Sequence, residues 1–254
     1  MRYSVIGKKT AFLFLVCAVF VFGAAVHGAG RAIRANATPV LHPIYSVETQ
    51  APLVSLGINC AWGNEDIPQL LSILEEKNIR ATFFLVGDWV DRFPESVKMI
   101  HEAGHEIGSH SDTHADMTRL SREGMIREIR DSAAKIEAVV DIKVELFRAP
   151  SGAYNSIVVQ TIKDEGMYPI QWDADSVDYK NPTTRQMQDR IMKTLRNGSI
   201  LLFHSGAKNT PDALPVIIQA IQDKGYDFVP VGELIHRGEY RVDFEGRQHP
   251  VGRG

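Results

Sequence analysis

Short runs rich in β-branched and aromatic residues recur along this chain, each followed by a stretch of helical period, and that alternation restricts the fold more than any other feature. The runs are PLVSLGIN, ATFFLV, HEIGS, VELFRA, YPIQW, SILLFH and YDFVPV. Between them lie helical stretches such as DIPQLLSILEEKN, PESVKMIHEAG, SREGMIREIRDSAAKIEAVV, NSIVVQTIKDEG, TTRQMQDRIMKTLRNG and DALPVIIQAIQDKG. Ser121 stands at a helix start, and Gly104, Gly166, Gly198 and Gly225 stop four helices just before the next run. A helix stopped by glycine and followed at once by an apolar strand is half of a βαβ unit. Repetition of that unit predicts an α/β fold with one parallel sheet, either doubly wound or closed into a barrel.

At 254 residues, 44% hydrophobic and 23% charged, the chain is long enough for one large domain with a substantial core. A formal charge of -3 and no lysine-rich run exclude a broad basic field for nucleic acid. The N-terminus differs from the rest: MRYSVIGKK is followed by the apolar TAFLFLVCAVFVFGAAV and then small residues. Residues 1–28 therefore read as a secretory signal or an uncleaved membrane anchor, and the protein is expected to be exported. Beyond it only Cys60 remains, so no intramolecular disulfide is available and the core must hold the domain. Residues 29–50 read as a linker, 51–236 as a single domain, and the charged, glycine-rich 237–254 as a loosely docked tail.

In parallel α/β domains the loops after the strands build the site. Asn59 and Cys60 follow the first strand; His110, Asp112 and His114 the third; Arg148 the fourth; Asp175 and Asp178 the fifth; His204 the sixth. Spacing alone is weak, because His101 and His105 in HEAGH repeat the interval of His110 and His114. Position separates the two pairs, since only the second lies beyond a strand end. Two imidazoles four apart reach one cation if the loop turns helical at His110, and a borderline metal such as zinc suits nitrogen ligands. His204 is placed to shuttle a proton near neutral pH. Asp175 is a natural partner for the permanent cation of Arg148. Trp62, Trp172 and Tyr179 offer either apolar faces for sugar rings or ordinary packing.

SHSDTH, FRAPSG, WDADSVDY and ILLFH, in this order on these strand ends and with KNIRATFFLVG after the first helix, resemble the motifs of polysaccharide deacetylases of carbohydrate esterase family four, the NodB-homology domain. The similarity runs from about residue 50 to 236 and looks closest to the branch of spore-forming bacteria. It implies a distorted (β/α)7-type barrel, a divalent metal, zinc by preference, and removal of N-acetyl groups from peptidoglycan or related wall or spore glycan. Carried over, His110 and His114 resemble the metal ligands and His204 the acid that protonates the leaving amine. Arg148 and Asp175 resemble the pair that tunes the catalytic groups, and the backbone at Ser151 the oxyanion donor.

The first motif departs. The family places two aspartates there, base and third metal ligand, where LGINCAWGNED has Asn59 and Cys60. An amide cannot take a proton from water, so catalysis at that position, commonly worth about 10²–10⁴-fold, is expected to be absent. Cys60 serves as a thiolate ligand or turns into the core, and Glu65 or Asp66 is the candidate replacement base. Three readings follow: a metal-dependent deacetylase with a rearranged site, a glycan-binding pseudoenzyme, or a purely structural wall or spore protein with no metal.

Overall fold

The computed structural model describes residues 40–252; the expected signal or anchor lies outside them. In chain order the first elements are β1 (Ser46–Val47), β2 (Leu53–Cys60), α1 (Ile67–Glu76), β3 (Thr82–Leu85), α2 (Gly87–Arg92), α3 (Pro94–Glu102), β4 (Glu106–Ser109) and α4 (Arg122–Val139). Then come β5 (Leu146–Phe147), α5 (Ser156–Asp164), β6 (Tyr168–Pro169), β7 (Ala174–Asp175), α6 (Thr184–Thr194), β8 (Ile200–His204), α7 (Thr210–Gln222), β9 (Asp227–Phe228), α8 (Val231–Leu234), β10 (Tyr240–Val242) and β11 (Arg247–Pro250). The main sheet runs β6-β5-β4-β3-β2-β8-β7, with β9 beside the start of β2, and its pairings are parallel. This is the distorted (β/α)7-type arrangement expected, with β6 and β7 at its ends.

Strand β2 is central and buried from Val54 to Cys60, the pattern of a strand covered on both faces. Gly57 interrupts its β-branched run for a reason. A Cβ there would lie 2.6 Å from Nη2 of Arg148, so the missing side chain is the space the guanidinium occupies. The register sets Asn59 beside Phe84 on one neighbour and His204 on the other, which brings three strand ends to one rim. Ser121 accepts from the Gly124 amide at 3.2 Å, as its place at the start of α4 predicts.

Both flanking segments depart from expectation. Within the supposed linker, Ile44 and Val47 are fully buried; the Ile44 amide donates to Pro169 O and the Val47 amide to Gly198 O. Within the supposed tail, β10 and β11 form an antiparallel pair and β11 joins β1. Buried Gln248 accepts from the His236 amide at 2.8 Å and donates to its carbonyl at 2.9 Å, while His249 lies 2.8 Å from both Glu48 and Asp243. Tyr240 and Val242 add a few apolar contacts with the cluster of Ile44 and Val47, but polar groups make much of this attachment, so hydropathy gives little sign of it.

His105, the decoy of the sequence pattern, is a buried structural residue whose Nδ1 accepts from the Ala81 amide. Burial, aided by Arg80, pulls its pKa down to about 4. Because the folded state prefers the neutral ring, this contribution is complete above pH ~6.5 and is lost as pH falls toward 4. His105→Asn is expected to flatten the stability profile across that window by about 3 kcal/mol, measured by urea unfolding at stepped pH.

Candidate functional site

The His110–His114 loop is built on β4 and held from α4. The His110 amide extends the ladder by donating to Leu85 O. No helical turn follows. Ser111 and His114 both take left-handed backbone, at φ +68° and +59°, which corrects the expected helix. Ser111 Oγ accepts from the His114 amide, and the Glu128 carboxylate accepts from the amides of Asp112 and Thr113 at 2.9 Å and from Thr113 Oγ1 at 2.7 Å. These bonds hold the two rings edge to face with centroids 5.0 Å apart. Nothing in the spacing of the sequence marks Glu128.

His110 Nδ1 lies 2.7 Å from the Arg148 carbonyl, which can only accept, so Nδ1 carries the proton and Nε2 the lone pair. Burial and then the neighbouring His114 push His110 well below the usual histidine range; burial and then His204 lower His114. Both rings are neutral at pH 7.

His204 ends β8 with its own fixed tautomer. Its Nδ1 donates to Asp178 Oδ1 at 2.7 Å, and Asp178 Oδ2 accepts from the His204 amide and from Thr210 Oγ1, each at 2.7 Å. Trp62 stacks on the imidazole at 5.3 Å and Tyr179 meets it edge on at 5.7 Å. The carboxylate that orients His204 is therefore Asp178. Val177, at φ +55°, is a β-branched residue in left-handed backbone, a costly conformation that swings Asp178 beneath the ring. Val177→Asn is expected to raise stability by about 1 kcal/mol, read as a thermal midpoint roughly 2–4 °C higher.

Arg148 is fully buried. It donates to Asn59 Oδ1 at 2.9 Å and to the Gln171 carbonyl at 3.2 Å, and its guanidinium lies 3.9 Å over Phe84. Its Nε has no partner among the described residues, and the expected ion pair with Asp175 is absent; Asp175 accepts instead from the Val177 amide. Burial draws the Arg148 pKa down to about 9, opposed by the field of Asp175. An aspartate at position 59 would have supplied the missing counter-ion; the amide supplies only a dipole.

One cavity of about 270 Å³ gathers most of the residues singled out. Asn59, His110, His114 and His204 line it with Asp175, and Ser151, Trp62, Trp172 and Tyr179 complete its walls. Arg148 lies behind Asn59 rather than in the wall. Cys60 is elsewhere: its side chain belongs to the core with Ile58 and Leu85, and burial pushes the thiol up to about 12, so it is no thiolate ligand. Glu65 folds over Gly63, and Asp66 accepts from the Gly206 amide. Neither reaches the cavity as a replacement base.

The divalent metal implied by the family fits this donor set poorly. Two imidazoles converge, but among the described residues no three His, Cys, Asp or Glu side chains do. Catalytic zinc sites use three protein ligands.

A parallel α/β sheet carrying two converging histidines, a buried arginine and an Asp-supported histidine on its strand ends defines a polysaccharide-deacetylase type of domain. The family model described as polysaccharide deacetylase matches residues 46–170. A peptidoglycan-N-acetylglucosamine deacetylase of Bacillus cereus is 30% identical over 208 residues, 80% of this chain and 97% of the relative. YlxY, an uncharacterized protein of Bacillus subtilis, is 34% identical over 76% of this chain, which spans 60% of that relative's length. Among solved structures, a CE4 family pseudoenzyme from Bacillus anthracis superimposes with a TM-score of 0.73 at 36% identity, covering 76% of this chain and 68% of that one. A mutant of it, matching equally well, is described as having restored enzymatic activity. The chain belongs to carbohydrate esterase family four, the polysaccharide deacetylases.

Proposed function

We propose that this domain binds N-acetylated cell-wall glycan without hydrolysing it. One observation carries the reading: the position of the family's base holds Asn59, whose side-chain oxygen is engaged by Arg148, and among the described residues no third His, Cys, Asp or Glu side chain joins His110 and His114. Amide hydrolysis needs a group that accepts a proton from the attacking water. Asp175, the one carboxylate in the wall, has an oxygen tied to the Val177 amide.

The rest of the machinery for holding a sugar is kept. Trp62 and Tyr179 are each about half exposed at the rim, 46% and 47%, so the part of each ring not packed against His204 is open to a pyranose ring. Gly152, at φ +68°, lets Trp172 pack close, since a Cβ there would stand 3.0 Å from the indole. Support for the glycan class comes from the peptidoglycan deacetylases among the relatives, and support for silence from the pseudoenzyme neighbour. The N-terminal signal pattern supports a place outside the cytoplasm, at the wall or spore envelope.

Residues 30–254 incubated with zinc and acetylated wall oligomers test the proposal. The expected result is saturable binding with no acetate above a His110→Ala control. Steady acetate release from the unaltered protein, abolished in that control, would establish the deacetylase reading instead.

A further inference from the structure

We infer that Asn59 is a ligand-binding residue in its own right: its Nδ2 amide donates to the carbonyl oxygen of a sugar's acetamido group, and the site holds that group without a metal. The inference rests on the glycan-binding reading and specifies how the cavity recognises its ligand.

The orientation of the Asn59 amide follows from chemistry. An arginine guanidinium has donors only, so the atom facing Arg148 Nη1 at 2.9 Å must be Oδ1. The other polar atom, Nδ2, is then left to the cavity that Asn59 lines, and it has no partner among the described residues. Asn59 is 3% exposed and Arg148 fully buried, so the donor is rigidly backed. The replacement of aspartate by asparagine at this place thus inverts the hydrogen-bonding sense of the wall, from acceptor to donor.

The opposite sense is supplied by the imidazoles. His110 Nδ1 is committed to the Arg148 carbonyl, which leaves its neutral ring an Nε2 lone pair, and His204 Nδ1 is committed to Asp178, which leaves Nε2 as that ring's uncommitted nitrogen. A cavity offering one amide donor among imidazole acceptors matches an acetamide, which presents one carbonyl acceptor and one N–H donor. It matches a free amine poorly, because the deacetylated sugar has lost the carbonyl and carries a positive charge near buried Arg148.

Titration calorimetry with tetra-N-acetylchitotetraose, in EDTA and in zinc, decides the matter. The expected result is the same affinity within twofold in both buffers, with no heat from the fully deacetylated tetramer. Asn59→Asp keeps the size of the side chain and a partner for Arg148 but replaces the donor by a carboxylate; binding in EDTA is expected to weaken more than tenfold. Asn59→Ala is expected to weaken it roughly 3- to 10-fold. Binding that vanishes in EDTA, or that survives unchanged in a folded Asn59→Asp protein, overturns the inference and leaves the glycan-binding reading standing. Absence of any binding by the unaltered protein overturns both.

Discussion

Asn59→Asp combined with Cys60→Asp is expected to create acetate release where the native protein has none, with a gain on the order of 10²–10⁴-fold over background. The first change places a carboxylate beside the buried Arg148, whose hydrogen bonds among the described residues now run to the amide oxygen of Asn59 and a backbone carbonyl. That carboxylate is both counter-ion and proton acceptor. The second change replaces a thiol lying in the core with a charged group that cannot remain among Ile58 and Leu85. The expected gain depends on that group turning out of the core to the rim, where among the described residues the neutral imidazoles of His110 and His114 lack a third donor. The two effects are non-additive: either substitution alone leaves the site without a base or without a full ligand set, and is expected to give little. Acetate assayed from tetra-N-acetylchitotetraose in zinc measures the gain. A folded, zinc-retaining double variant with no activity would show that the loss lies elsewhere in the site.

Asp178→Ala is expected to destabilise the domain by about 3–5 kcal/mol, the largest single-residue effect on stability outside the hydrophobic core. Its fully buried carboxylate satisfies the His204 amide, His204 Nδ1 and Thr210 Oγ1, and removal strands three donors at once. Thr210→Val removes one of them and is expected to lose about 1 kcal/mol. Differential scanning calorimetry reads the pair as falls in thermal midpoint of roughly 10 °C and 3 °C. A loss for Asp178→Ala as small as that for Thr210→Val would show that the carboxylate is not the hub of this network.

Legibility in the sequence followed the kind of force at work. Strands such as PLVSLGIN and SILLFH and the helices between them are hydrophobic patterns, and they appear in the structure as β2, β8 and their neighbours. The two-residue β7 was invisible because Ala174 and Asp175 sit in the polar string WDADS. β10 and β11 were missed because only Tyr240 and Val242 pack on the core, too few for a hydrophobic pattern, and the rest of the attachment runs through Gln248 and His249. In the site, strand-end position picked out Asn59, His110, His114, Asp175 and His204, which line the cavity, together with Cys60, Asp112, Arg148 and Asp178, which do not, and it separated His110 and His114 from His101 and His105. Partnerships were not legible. The choice of Asp178 over Asp175 depends on the left-handed backbone at Val177, and the clasp of Glu128 on residues 112 and 113 depends on how α4 passes the loop. Cys60 left two options open, and the pleat of β2 settles them, since neighbouring Asn59 faces the cavity and Cys60 the core.

On the proposed function the pocket receives an acetylated sugar and leaves it intact. A crystal structure of the native protein soaked for days with tetra-N-acetylchitotetraose and zinc would show the outcome at the sugar itself. The expected density shows an uncleaved acetamido group between Asn59 and the imidazoles, with pyranose rings against Trp62 or Tyr179. Density for a free amine on the bound sugar, or for acetate released into the cavity, would contradict the claim.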